Sequence, residues 1–164
     1  EISLAWNVGV VAEILLFVYF PVLERKMSLE NLLSLGMILA GIRWLLLGSF
    51  SNPAIILFAQ TLHAFSYGVC YLVSMRLVFR LLPDDLRDRG QGWLTVVGTG
   101  AGSLLGRYLA GLGGSMLTSY KEAHVLFLIS SLGAFIGYIC ARKVLPFSDI
   151  DEAIIDEENL PQAA

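Results

Sequence analysis

Three residues of this chain carry charge or titratable chemistry where the surrounding sequence is apolar. Glu13 stands in GVVAEILLF, Arg43 in GIRWLLL and His63 in FAQTLHAFSYG. Placing a carboxylate at mid-bilayer costs at least ~2.5 kcal/mol on insertion scales, so such groups are retained for a reason. Counted from one end of their respective helices, they lie about twelve, seven and ten residues deep, which at ~1.5 Å per residue is roughly 18, 10 and 15 Å. The counting therefore predicts one layer holding a carboxylate, a guanidinium and an imidazole. A buried carboxylate near an arginine can be switched between its charged and protonated forms by water or substrate, and histidine titrates near neutral pH. That combination suits proton coupling. The plainer alternative is a Glu13–Arg43 pair that fixes helix register, with His63 as a hydrogen-bonded packing residue.

The element that must position His63 is the stretch 53–82, PAIILFAQTLHAFSYGVCYLVSMRLVFRLL. Read as one helix it is about 45 Å long, more than the ~30 Å hydrocarbon core of a bilayer. Gln60, His63, Tyr67, Tyr71 and Ser74 recur every three or four residues and share a face, while Ile56, Phe58, Leu62, Phe65, Val69 and Leu72 form an apolar one. A polar stripe on a helix in lipid turns toward other helices or a water-filled cavity, which makes Gln60, Tyr67 and Tyr71 candidate cavity-lining residues. Arg107, also within an apolar segment, is a further candidate.

Composition places the whole chain in a membrane. Of its 164 residues 56% are hydrophobic and 15% charged, with a mean hydropathy of +0.71; soluble domains carry about 25% charged residues. Five spans can be read, at about 2–20, 32–50, 53–82, 92–117 and 123–145, giving an all-α polytopic transmembrane bundle. Pro21, Pro83 and Pro146 mark ends, VLERKMSLEN and DDLRDRGQG read as polar connections, and SNP at 51–53 reads as a tight reversal with Pro53 at the first helical position. Residues 147–164 read as a disordered acidic tail. The net charge of −3 depends on six acidic residues after Pro146; the rest of the chain sets eleven basic against eight acidic residues.

Arg25, Lys26, Arg80, Arg87, Arg89, Arg142 and Lys143 fall at one side and only Lys121 at the other. The positive-inside rule then puts the C-terminus in the cytoplasm and the N-terminus outside, as for a protein of a cell (inner) membrane. The chain starts at Glu1 and is apolar by Leu4, with no basic region or cleavage site of a signal peptide, so it is expected to begin partway through something larger.

Gly98, Gly102, Gly106, Ala110 and Gly114 recur every four residues, and Gly133, Gly137 and Ala141 repeat the spacing further on. Small-residue ridges let helix backbones approach closely in lipid. Gly98, Gly102, Gly106 and Gly114 are thus expected to pack helices, as static contacts or as a surface along which helices shift. Cys70 and Cys140 lack metal-ligand spacing and read as small packing residues. No HExxH motif occurs, and His63 and His124 have no matching ligand set, so no metal, no cofactor and no enzymatic activity are expected. The absence of a P-loop disfavours an ATP-driven pump.

WNVGVVAEILLF, GIRWLLL, QTLHAFSYGVCYLVSMR and QGWLTVVGTGAGSLLG, in this order, resemble the C-terminal half of major facilitator superfamily transporters, nearest to the phenylpropionate-permease-like branch related to the lactose permease. The resemblance covers about residues 6–115. It implies that the five spans are helices eight to twelve of a twelve-helix fold, and it carries substrate-binding and proton-coupling roles onto Glu13, Arg43 and His63. It also implies a small-molecule substrate, protons, the lipid bilayer and a missing N-terminal half as partners, and no nucleic acid. The expected function is part of a secondary active transporter that moves a small organic solute by proton symport with alternating access. The alternative is a non-transporting structural or receptor-like protein, a truncated transporter paralogue. The pattern departs from the family at Ser66, where the lactose permease has a second carboxylate, at Tyr71, where phenylpropionate-like members carry a second histidine, and at Pro21 and Ser28, where glycine is expected.

Overall fold

A computed structural model describes residues 2–116 and 120–144, and these are almost entirely helical. Helix α1 (Ile2–Lys26) is followed after two residues by α2 (Leu29–Ser49), then by α3 (Pro53–Leu81), α4 (residues 84–116) and α5 (Tyr120–Val144). The all-α polytopic bundle expected from composition is what the chain forms. Among the described residues, α1, α2, α3 and α5 are long and apolar enough to cross a membrane. Of the fourth expected span, 92–117, residues 92–116 lie within α4, whose glycines and Arg107 dilute its apolar character, and residue 117 lies outside the described residues. The acidic tail, 147–164, lies outside the described residues.

Local chemistry explains the boundaries. Ser28 caps α2, its Oγ accepting the Asn31 N–H at 3.3 Å, and Asn52 caps α3, its Oδ1 accepting the Ala54 N–H at 2.9 Å. Pro53 follows at the first helical position, as the SNP reversal predicts.

Two expected connections are helical instead. Pro21 does not end α1, which runs on to Lys26. A proline removes one backbone donor, a loss that neighbouring helices make tolerable in an apolar bundle. Phe20 is buried in the core beside it, and Glu24 one turn on pairs with Arg76 at 2.9 Å and Arg80 at 3.9 Å, so the turn after the proline is held in place. The segment after Pro83 is likewise the first part of α4. Asp84 and Asp85 sit in its first turn, where the helix dipole favours negative charge, and Asp84 pairs with Arg87. Its polarity reflects exposure to solvent, not an irregular backbone.

The long helix over 53–82 is one continuous element, with a local change of winding. Ala64–Val69 closes its backbone hydrogen bonds i→i+5, a wider turn that begins just after His63, and Leu94–Ala101 does the same in α4.

The core lies where α1, α2 and α3 meet, built from Leu16, Phe20, Leu29, Leu32, Val69, Val73 and Leu77. Val69, on the face of α3 read as apolar, is fully buried there. On its other side α2 is lined along its length by α5. The buried Ser131 hydroxyl donates to the Gly41 carbonyl at 2.8 Å, Trp44 stacks on Phe127 with centroids 5.8 Å apart, and Glu30 pairs with Arg142 at 2.5 Å. Helix α4 joins the bundle mainly through the end of α3, and its side chains from Ala101 to Leu109 are exposed.

Candidate functional site

Glycines set how closely α1 and α3 approach. A Cβ on Gly9 would stand 3.4 Å from the Gln60 carbonyl oxygen and 3.8 Å from His63; one on Gly68 would stand 2.8 Å from Leu16 and 3.7 Å from the Glu13 Cγ. The two helices therefore run in parallel at near backbone contact, Gly9 beside Gln60 and His63, Glu13 beside Gly68, and Glu24 beside Arg76 and Arg80. This alignment orders the three ionisable groups along α3. Arg43 reaches it from α2 at Gln60, His63 follows, and Glu13 meets it at Gly68. Eight residues separate the first level from the last, roughly 12 Å at ~1.5 Å each. The groups are stacked along the helix rather than gathered at one point.

Their partners differ from those of a simple ion pair. An Arg43 Nη donates to the Gln60 Oε1 at 3.3 Å, and the guanidinium lies 4.5 Å from the centre of the Trp44 ring. Its Nε is buried without a hydrogen-bond partner among the described residues, and so is the His63 Nδ1. Glu13 is half-buried and makes neither an ion pair nor a hydrogen bond among the described residues. No Glu13–Arg43 register pair forms.

The polar face of α3 is continuous. His63 stacks on Tyr67 with centroids 5.5 Å apart and ring planes 14° from parallel, and Tyr67 stacks on Tyr71 at 6.1 Å and 10°. The wide turn makes this possible, because it brings residues four apart closer to vertical register than an α-helix does. A cavity lies near each end of this polar face, one lined by Gln60 and the other by Tyr71. At the end of the bundle that carries the α2–α3 turn, a space of about 860 Å³ is lined by Arg43, Trp44, Gln60, Trp6, Phe50 and Phe127, among others. Towards the other end, an open depression of about 440 Å³ is lined by Tyr71, Met75, Asp88, Gln91, Gly92, Thr95 and Val96.

Of the residues singled out by sequence, Gln60, His63, Tyr67 and Tyr71 thus form one row, with Arg43 at its head and Glu13 alongside. Arg107 lies apart from them, exposed on α4. The α4 glycines meet little: a Cβ on Gly98 or Gly106 would touch nothing within 4 Å, one on Gly102 only the Val97 carbonyl, and Gly114 is in a stretch whose side-chain surroundings are not described. Trp44, Trp6 and Phe127 were not apparent as site residues. The only local sign was Trp44 directly following an intramembrane arginine.

With this geometry established, comparison with known proteins is decisive on family. The sequence profile of the MFS_1-like family matches residues 1–129. The chain belongs to that family. Among curated proteins of Escherichia coli K12, it is similar to one that carries the name of a 3-phenylpropionic acid transporter, 27% identical over 141 residues, covering 86% of this chain and 36% of the relative. It is also similar to one that carries the name of a nucleoside transporter, YegT, 28% identical over 121 residues, covering 71% of this chain and 28% of that relative. The chain thus spans about a third of the length of the curated relatives it matches. No solved structure matches it.

Proposed function

We propose that the chain is the C-terminal part, helices eight to twelve, of a twelve-helix secondary active transporter that moves a small organic solute by proton symport. The observation that carries this reading is the state of Glu13. It lies half-buried against the wide turn of α3 with no ion-pair partner among the described residues, while Arg43 is engaged by Gln60 and Trp44. Carboxylates within membrane spans that face a bundle interior mark proton and substrate pathways. Glu13 is then the proton carrier, His63 the neighbouring acceptor, and Arg43 the fixed positive charge that governs which anions approach.

In this reading the head of the His63–Tyr67–Tyr71 row faces outside and its Tyr71 end faces the cytoplasm, with the C-terminus cytoplasmic in a cell (inner) membrane. Alternating access comes from rocking of this half against the N-terminal half, around a site at the interface between repeats. The open small-residue face of α4 supplies a smooth surface for that movement.

The test is uptake by the complete protein in proteoliposomes. Glu13→Gln is expected to abolish accumulation driven by a proton gradient while leaving substrate exchange across the membrane. Undiminished accumulation by that variant would remove Glu13 from coupling and favour a non-transporting or differently driven protein. Residues 1–164 alone are expected to show no uptake, since a midplane site needs both halves.

A further inference from the structure

Helix α5 turns one face to α2 and the other away from it. Towards α2 it presents Phe127 to Trp44, the Ser131 hydroxyl to the Gly41 carbonyl, the Phe135 ring to Gly41 and Arg142 to Glu30. On the opposite side Ile129, Leu132, Ile136 and Ile139, spaced by three, four and three residues, are each more than half exposed. The next position of that stripe is Lys143, also exposed. An apolar track that ends in a cation matches the two parts of a phospholipid, acyl chain and headgroup. Helix α1 repeats the pattern with exposed Val11, Leu15, Val18, Val22 and Arg25, and Lys26 follows. Only Met27 and Ser28 separate Lys26 from α2, whose first turn carries Glu30, so the basic ends of α1 and α5 lie at one end of the bundle. The carboxylates there are turned inward. Glu24 pairs with Arg76 and Arg80, and Glu30 with Arg142; their side chains are only 19% and 26% exposed. Among the described residues this internal pairing leaves a surplus of outward positive charge at Arg25, Lys26 and Lys143. Arg142, at 45% exposure, keeps N–H groups beyond its contact with Glu30.

We propose that the outer side of the α2–α5 pair, at this end, is a binding site for one anionic phospholipid of the adjoining leaflet. The phosphate sits at Arg142 and Lys143, with Arg142 held in place by Glu30, and one acyl chain lies along Ile139, Ile136 and Leu132. A guanidinium offers phosphate paired donors, and an ammonium adds a mobile point charge. Arg25 and Lys26 add to the field, which reaches about 8–10 Å at physiological salt. A zwitterionic lipid carries the same phosphate but brings its own cation, so the surplus positive charge selects against it. The bound lipid fastens the α2–α5 pair to the membrane surface. The inference takes from the transporter reading only the side, the cytoplasmic leaflet; the binding itself is measurable without transport.

The experiment titrates the complete protein, purified in detergent, with phosphatidylglycerol, and with phosphatidylcholine of the same acyl chains as the control. Bound lipid is counted by native mass spectrometry. Phosphatidylglycerol is expected to give one saturable adduct, at least roughly fivefold tighter than phosphatidylcholine. Lys143→Gln, on the exposed face, is expected to weaken phosphatidylglycerol about fivefold and to leave phosphatidylcholine unchanged. Arg142→Gln should weaken it at least as much, and Arg142→Lys should recover part of the affinity, which separates loss of charge from loss of fold. Arg89→Gln, which removes an exposed cation from α4, should change nothing. Soluble glycerol 3-phosphate should not displace the lipid, because it lacks the acyl chain. Equal binding of the two lipids, no loss in Lys143→Gln, an equal loss in Arg89→Gln, or displacement by glycerol 3-phosphate would each overturn the site. So would phosphatidylglycerol binding that appears only once residues 147–164 are removed, since the acidic tail would then be the occupant. Should the lipid fail while Glu13→Gln still abolishes proton-driven accumulation, the transporter reading stands without this site. If the lipid binds as described but Glu13→Gln leaves accumulation intact, the site stands and the coupling reading falls.

Discussion

Glycines serve α2 and the part of α4 beyond Gly90 in opposite ways. On α2 every glycine is occupied on its far side: a Cβ on Gly36 would meet the Cys70 Sγ at 2.8 Å and the Phe65 carbonyl at 3.1 Å, one on Gly41 the Phe135 ring at 2.7 Å, and one on Gly48 Leu128 at 2.9 Å. On α4 the same residue type, at a more regular spacing, faces open space at Gly92, Gly98, Gly106 and Gly111. Spacing alone had pointed to α4 as the packing helix. The difference teaches that a small-residue ridge records the possibility of close approach, whereas the partner decides whether the approach is made. Helix α2 has two partners within the chain, α3 through Gly36 and α5 through Gly41 and Gly48. Helix α4 keeps the described part of its ridge, Gly98 to Gly106, free, which fits its proposed role against the other half of a transporter.

The contrast can be broken most forcefully at Gly41. Gly41→Leu has to displace the Phe135 ring and the α2–α5 backbone, and is expected to cost about 3 kcal/mol or more, read as a large drop in the unfolding midpoint in detergent. A drop no larger than that of a surface substitution would mean that the two helices are not in contact. Next in size is Ser131→Ala, which removes a buried hydrogen bond across the same pair and is expected to cost roughly 1 kcal/mol. Glu24→Gln, at the far end of α1, loosens the link to Arg76 and Arg80; because Arg76 is half exposed, the expected cost is only ~0.2–1 kcal/mol and should shrink as salt is added. The smallest change belongs to α4. Gly106→Ala adds a methyl group in open space and improves helix propensity, so it should stabilise the isolated chain by about 0.5–1 kcal/mol. If it destabilises the chain, the ridge has a partner within these residues.

The membrane class, the five helices and the bundle were legible because they follow from apolar length, which composition records directly. Glu13, Arg43 and His63 stood out for a related reason: charge inside an apolar run is rare and conspicuous. Their mutual arrangement was not legible. Depth counted from helix ends put them in one layer, but the parallel approach of α1 and α3 through Gly9 and Gly68 fixes a stagger that no counting along separate helices contains. Arg43 choosing Gln60 over Glu13 is likewise a matter of helix rotation. The connections at 22–26 and 84–93 were misjudged because proline and polarity were taken as breaks; flanking contacts at Phe20 and Glu24, and charges suited to a helix start at Asp84 and Asp85, overrode them. The aromatic cavity drew residues from four helices, so no single stretch could announce it.

The wide turn at Ala64–Val69 has a consequence for anyone mapping α3 residue by residue. At about 100° per residue, an α-helix seen by a reporter that senses water or lipid gives a single sinusoid along the sequence. Six residues wound i→i+5 delay that wave by about one position. A scan of accessibility along α3 should therefore fit two waves of equal period but offset phase, joined between His63 and Cys70. Forced through one continuous wave, the same data would assign Val69 to lipid, when it is sealed within the protein.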